Sequence, residues 1–385
     1  MNPLLIYILL FTEVFTATNL YVGYSSKQNN YRTIQEAVNR AAQINPIRES
    51  QRVTINIRPG TYREQVIIKT PYITLLNNEP KNNNVIITWY YGIGYKYYSC
   101  NNNGYYDVNL AKKKSSKKIA SKWGATVQIW PQAKYFKANN IIFENSFNRY
   151  MTKEEISDGV ELVKISSVSP INVKRQSNVD VQSRIATERA AALTCEAPYS
   201  EFYKCTFLSS QDTLYTGGSP QYFKYCVIEG QTDYIFGESN AVFDNCELRW
   251  KGYSSGISYP GYITAARAGN QYYTGYLFKN CKVTKNNKLT VKAGYLGRPW
   301  ASSAKVMFIN TILKDSSSIV PEGWYEMSGV KPENVAGFKE SGTKYSNGQS
   351  VDLSKRKGIK VSENDAKKIN VINYMNNWTP SYLNI

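Results

Sequence analysis

The chain has 385 residues, no histidine, and 47 Lys plus Arg against 29 Asp plus Glu, a formal charge of +18. Its length provides for a full core in one large domain, two ordinary ones or a single solenoid, while the missing histidine excludes every His-dependent catalytic arrangement. The basic excess, where it is more than a solubilising surface, points to a polyanionic partner; nucleic acid is set aside, because no recognition-helix, zinc-finger or RNP signature is present.

In chain order, residues 1–18 read as a secretory signal: an apolar run from Leu4 to Phe11 precedes the small-residue stretch Thr16-Ala17-Thr18. The run is far shorter than the ~20 residues of a membrane span, and no later segment qualifies. Residues 19–385 are then expected to form one domain. Thr33 to Ala42 carries Ile34, Ala37, Val38, Ala41 and Ala42 on one helical stripe, which suits an N-terminal capping helix. Val53-Thr54-Ile55-Asn56-Ile57 alternates as a first strand, and Gly60 to Glu64 reads as a turn into an early coil whose Tyr62 and Glu64 are structural. Thr88 to Lys122 is rich in Tyr, Asn and Lys; with five lysines between Lys112 and Lys118, it is expected to be an exposed irregular loop.

From Phe202 onward an aromatic-led frame recurs: Phe202-Tyr203-Lys204-Cys205, Phe223-Lys224-Tyr225-Cys226, Phe243-Asp244-Asn245-Cys246, Phe278-Lys279-Asn280-Cys281 and Phe308-Ile309-Asn310-Thr311. The steps are 21, 20, 35 and 30 residues. Short strands rich in β-formers at a solenoid period, without sustained helical periodicity, predict an all-β, right-handed parallel β-helix. The part after Val330 is polar and is expected to wrap back along the outside. In such a stack Asp212 and Asp233, 21 residues apart, stand side by side about 4.8 Å apart, and paired carboxyls cannot both ionise freely. The same reasoning brings Cys226 and Cys246 within disulfide range, with a ladder of free thiols as the alternative. No Cys-x-x-Cys pattern suggests a metal.

Five segments carry a resemblance: Gly60-Thr61-Tyr62-Arg63-Glu64, Ala190-Ala191-Ala192-Leu193, Gln211-Asp212-Thr213-Leu214, Asp233-Tyr234-Ile235-Phe236-Gly237 and Leu296-Gly297-Arg298-Pro299-Trp300. Together and in this order they resemble the pectin methylesterase (pectinesterase) family. The resemblance implies a right-handed parallel β-helix that hydrolyses methyl esters of galacturonate in pectin, without metal or other cofactor. It also implies Asp233 as nucleophile, Asp212 as the acid that later becomes the base, Arg298 as the partner of Asp233 and Gln211 as an oxyanion donor. Trp300, Tyr215 and Phe236 match aromatic positions lining the sugar subsites. Where the family has a second glutamine this chain has Arg189, which either strengthens oxyanion binding, lowers the Asp212 pKa, contacts a neighbouring sugar carboxylate, or marks lost catalysis. The expectation is a secreted, monomeric enzyme acting on pectin, with no nucleic-acid or membrane partner. A catalytically inactive pectin-binding protein is the alternative, and a lyase or glycosidase on the same fold is a third reading, disfavoured by ester-cleaving motifs and by the lack of a concentrated acidic cluster.

Overall fold

The computed structural model describes residues 17–80, 84–159, 161–162, 189–252, 260–267, 274–286 and 294–385. Residues 1–16, which hold most of the expected signal segment, lie outside them. The chain winds as a right-handed parallel β-helix whose coils contribute to three sheets, of twelve, nine and seven strands. The seven strands of the third sheet follow chain order: β1 (Val66–Ile68), β2 (Val127–Ile129), β3 (Leu193–Cys195), β4 (Leu214–Thr216), β5 (Ile235–Gly237), β6 (Tyr262–Ala266) and β7 (Tyr295–Pro299).

The recurring frame explains how each coil closes. Its phenylalanines stack through the interior, Phe202 on Phe223 at 4.7 Å, Phe223 on Phe243 and Phe243 on Phe278 at 4.6 Å, and Phe278 on Phe308 at 4.4 Å, with planes within 10°. Its third residue turns the corner from the first to the second sheet in the left-handed region: Lys204, Tyr225, Asn245, Asn280 and Asn310 all have φ between 52° and 56°. Asparagine tolerates that conformation better than most side chains. The fourth residue then points inward.

That inward row contains Cys205, Cys226, Cys246 and Cys281, all buried and all free. The expected Cys226–Cys246 disulfide is therefore not formed. Coil stacking repeats at about 4.8 Å, whereas a disulfide needs Cβ atoms about 3.8 Å apart, and parallel coils aim the two Cβ vectors alongside each other rather than together. Three of these thiols instead donate to a carbonyl of the preceding coil, Cys226 to Phe202 at 3.4 Å, Cys246 to Phe223 at 3.4 Å and Cys281 to Phe243 at 3.3 Å, while Cys205 donates to the Tyr203 carbonyl of its own coil.

Helix α1 (Ile34–Ile44) closes the N-terminal end, burying Ile34, Ala37, Val38 and Ala41; Ala42 is exposed, contrary to expectation. Thr33 and Glu36 form a reciprocal capping box. Glu64 accepts from the backbone N–H groups of Ile34 and Gln35 at 2.8 and 2.9 Å, placing a carboxylate on the positive end of α1. Gly60–Arg63 is a strand of the second sheet rather than a turn. At the other end the wrap expected after Val330 begins later, because Gly337–Ser341 and Lys344–Tyr345 first add a further coil to the first and second sheets; residues after about 361 then pass along the outer face of the first sheet, where Met375 and Val371 bury against Tyr222, Val242 and Leu277.

Two stretches of described residues replace the short corner between the second and third sheets in early coils: 90–126, and 146–159 with 161–162 and 189–192. The first overturns the irregular-loop expectation in part: it contains helix α2 (Val108–Lys113) and short antiparallel strands, Tyr95–Tyr97 pairing with Lys118–Ile119 and with Glu161–Leu162. Its tyrosines supply what the hydrophobic pattern hid, because Trp89, Tyr90, Tyr91, Tyr97, Cys100 and Phe147 form a second core. Lys112 to Ser116 and Lys118 are exposed as expected. The buried amide of Asn145 ties the insertions together, its Nδ2 lying 2.9 Å from the carbonyl of Tyr91 and 3.0 Å from those of Gly124 and Ala191. Among the described residues no helix is long and apolar enough to cross a membrane.

Candidate active site

In later coils the corner between the second and third sheets is short, and it carries the acidic pair. Gln211 bridges in parallel to Arg189 on one side and to Thr232 on the other, so Arg189, Gln211 and Thr232 occupy one row on successive coils. The next row holds Asp212 and Asp233. Both have left-handed backbones, with φ of 59° and 48°, a conformation that costs energy outside glycine and persists where its surroundings enforce it. Here the Asp212 N–H is fixed to the Thr232 carbonyl at 3.1 Å, and the following residues, Thr213 and Tyr234, are fully buried anchors.

The two carboxyls open into a cleft of about 290 Å³ lined by Trp123, Arg189, Gln211, Asp212, Asp233, Phe236, Ala265, Arg298, Trp300 and Met327. Arg298, on β7, is forked onto Asp233, with Nε 2.8 Å from Oδ1 and Nη2 2.6 Å from Oδ2. Its neighbour across the sheet is Ala265 on β6, a small side chain lining the same cleft. The guanidinium is also held over the Tyr262 ring, 4.1 Å from its centre. Arg189 has no hydrogen bond or ion pair from its side chain to any described residue, and Gln211 Oε1 is buried without a partner.

Electrostatics separate the two aspartates. Burial, then the charge of Asp233, pushes the Asp212 carboxyl well above its usual range, against the opposing influence of Arg189, Arg298 and Gln211. Burial also raises Asp233, but the hydrogen bonds and charge of Arg298, and the charge of Arg189, act against that rise. Arg298 thus opposes the protonation of Asp233, but burial outweighs it and the carboxyl lies above its usual range. Asp212, which lacks the forked arginine, is the more readily protonated of the two. Such a pair can supply an acid and an anionic nucleophile without histidine.

The cleft brings together Asp212, Asp233, Gln211, Arg298, Arg189, Phe236 and Trp300 from the sequence reading. Tyr215 stands beside the cleft, 5.1 Å from Phe236 between ring centres. Three residues were missed. Trp123 lies 5.3 Å from Phe236, 5.7 Å from Tyr215 and 6.4 Å from Trp300, so it closes the aromatic wall. Met327 arrives on a tight turn whose Met327 and Val330 backbones pair, and Tyr262 supports Arg298. The one hint for Trp123 was the following Gly124, whose φ is +65° and where a Cβ would fall 2.3 Å from the Tyr91 carbonyl oxygen; such close approach marks a fixed backbone.

Comparison with known proteins bears on the family and the fold. The Pectinesterase family model matches residues 172–377. Among curated proteins, Pectinesterase 31 of Arabidopsis thaliana is 27% identical over 314 residues, 81% of this chain and 78% of that protein. Probable pectinesterase A of Neosartorya fischeri is 41% identical over 148 residues, spanning 37% of this chain and 43% of its own length. Among solved structures, pectin methylesterase PemA from Erwinia chrysanthemi superposes with a TM-score of 0.65 at 22% identity, covering 95% of this chain and 99% of that one. A pectin methylesterase in complex with a hexasaccharide gives 0.66 at 21% identity, with the same coverage.

Proposed function

Since the chain belongs to the pectinesterase family, we propose that it hydrolyses the methyl esters of homogalacturonan through Asp233 as nucleophile and Asp212 as acid and base. The observation that carries this reading is the single cleft in which Arg298 is forked onto Asp233 while Asp212, equally buried, has no such partner.

In the first half-reaction an oxygen of Asp233 attacks the ester carbonyl carbon. Gln211 and Arg189, neighbours on adjoining coils, flank the oxygen on which negative charge develops. As the tetrahedral adduct collapses the bond to the methoxy oxygen breaks, and Asp212 gives its proton to departing methanol, leaving an anhydride with Asp233. In the second half, Asp212 takes a proton from water, the hydroxide adds to the sugar acyl carbon, and Asp233 leaves as carboxylate. The sum is ester plus water to acid plus methanol. Trp123, Phe236 and Trp300 offer apolar faces to the sugar rings.

Membership of the pectinesterase family, with Asp233, Asp212 and Arg298 lining one cleft, disfavours a silent binding protein. We propose that it acts outside the cell, a reading supported by the signal-like pattern of residues 1–18. We take the working unit to be a monomer, as the sequence reading expects. The direct test is methanol release from highly methylated pectin by the full chain and by Asp233→Asn. Release by the parent and loss of at least about 10³-fold in the variant is the expected pair of results; an active Asp233→Asn enzyme would remove the nucleophile from this mechanism.

A further inference from the structure

We propose that the module formed by the two insertions holds an accessory binding site for demethylated, anionic stretches of homogalacturonan. This rests on the pectinesterase reading and extends it to residues beyond the family match, which begins at residue 172.

The module contains a second cavity, of about 280 Å³. Its walls are aromatic: Trp89 meets Tyr106 edge-on at 4.7 Å and stacks on Tyr90 at 4.5 Å. Its rim carries two cations, Arg63 and Lys114. Arg63 Nε lies 3.9 Å from Glu154, beyond hydrogen-bond range, and both side chains are about half exposed, so an incoming carboxylate can replace Glu154 at little cost. Among the described residues Lys114 donates its one hydrogen bond to a neutral group, Ser157 Oγ, at 2.9 Å, while its charge also acts on the nearby Asp158. The other acid in the wall, Asp158, is turned inward: it accepts from Ser99 N–H at 2.6 Å and from the Tyr90 hydroxyl at 3.0 Å, and burial raises its pKa. Around Lys114 the exposed Lys112, Lys113 and Lys118 add to the positive field.

Aromatic walls with cations at the rim suit a ring that carries a carboxylate. The position suits it as well. Arg63 ends the second-sheet strand that leads to β1 and Asp212 lies in the corner that leads to β4, three coils further on, roughly 14 Å along the axis at about 4.8 Å per coil. A chain already demethylated at one end can therefore rest on the module while the dyad works on adjoining esters, and its affinity must fall with salt.

The test uses the full chain with Arg63→Ser/Lys114→Ser and, separately, Tyr106→Ala. Substrates are long, partly de-esterified pectin and a fully methyl-esterified trigalacturonate too short to span both sites. For the long substrate at low salt, KM should rise about five- to tenfold in the double variant, the loss of two exposed charge contacts, with kcat unchanged. The KM for the trisaccharide should stay fixed, and the difference between parent and variant should collapse in 0.3 M NaCl. Unmethylated polygalacturonate should inhibit the parent more than the variant. An unchanged long-chain KM, or an equal rise for the trisaccharide, overturns the accessory site. Heparin inhibiting as strongly as polygalacturonate, with the same dependence on Arg63 and Lys114, overturns the uronate assignment. A parent inactive on both substrates sinks the pectinesterase reading itself, a result distinct from either.

Discussion

Arg298 grips Asp233 with two parallel hydrogen bonds, 2.8 and 2.6 Å long, and makes none to Asp212 among the described residues. In the proposed mechanism that asymmetry makes the two buried carboxyls unlike reagents. Arg298→Lys keeps the charge but not the fork, nor the flat contact with Tyr262. The expected result is a fall in kcat of about 10²–10³-fold, the usual scale for losing one preorganised electrostatic contact, with an unchanged far-UV circular dichroism spectrum. The acidic limb of the pH profile should also move upward, because Asp233 loses the group that opposes its protonation.

Asp212 makes a prediction about stability as well as rate. Its folded-state pKa lies above the unfolded value of about 3.9. The stabilisation linked to its protonation is therefore full below that value and is lost as pH rises through the folded pKa. Asp212→Asn removes the ionisable group, so the variant should be inactive yet melt higher than the parent at pH 7, by about 2 °C or more. The gain should shrink toward zero near pH 4. Melting scans at both values test this, and an equal shift at the two pH values would contradict the assigned protonation.

Arg189 lowers the pKa of both aspartates by its charge alone. Replacing it with glutamine, the residue the family resemblance leads one to expect, keeps a donor on the row beside Gln211 and removes the charge. Both limbs of the kcat/KM profile should therefore shift to higher pH in Arg189→Gln, with the fold intact. Limbs that stay in place would show that the guanidinium acts only on substrate.

The sequence made the solenoid legible because each coil repeats one local solution: a stacked phenylalanine, a left-handed corner residue and a small inward side chain. Asp212 and Asp233 were legible for the same reason, since lean coils keep a residue count that converts directly into position. Trp123 and Arg189 lie at the ends of the two insertions, where that conversion fails; Arg189 was found through the adjoining Ala190-Ala191-Ala192 motif, and Trp123 had no motif beside it. The inserted core escaped notice because its buried members are mostly tyrosines, which composition alone does not distinguish from surface. Spacing placed Cys226 and Cys246 correctly on adjoining coils, but it says nothing of how parallel Cβ vectors keep two sulfurs apart.

Asn145 is the joint through which the inserted module reaches the catalytic cleft. Its amide contacts the carbonyls of Tyr91, Gly124 and Ala191, and two of those carbonyls adjoin cleft or motif residues, Trp123 and Ala190. Its Oδ1 accepts from the Phe147 N–H at 3.0 Å. Asn145→Leu has similar volume but leaves these buried groups unpaired, at a cost of about 1–3 kcal/mol for each one left unsatisfied. The variant should lose stability by at least that much for a single group in urea titration. Because Trp123 is then free to drift from Phe236 and Trp300, KM for pectin should rise more than kcat falls. A variant with parental KM and lowered stability would show that Asn145 supports the fold without holding the aromatic wall.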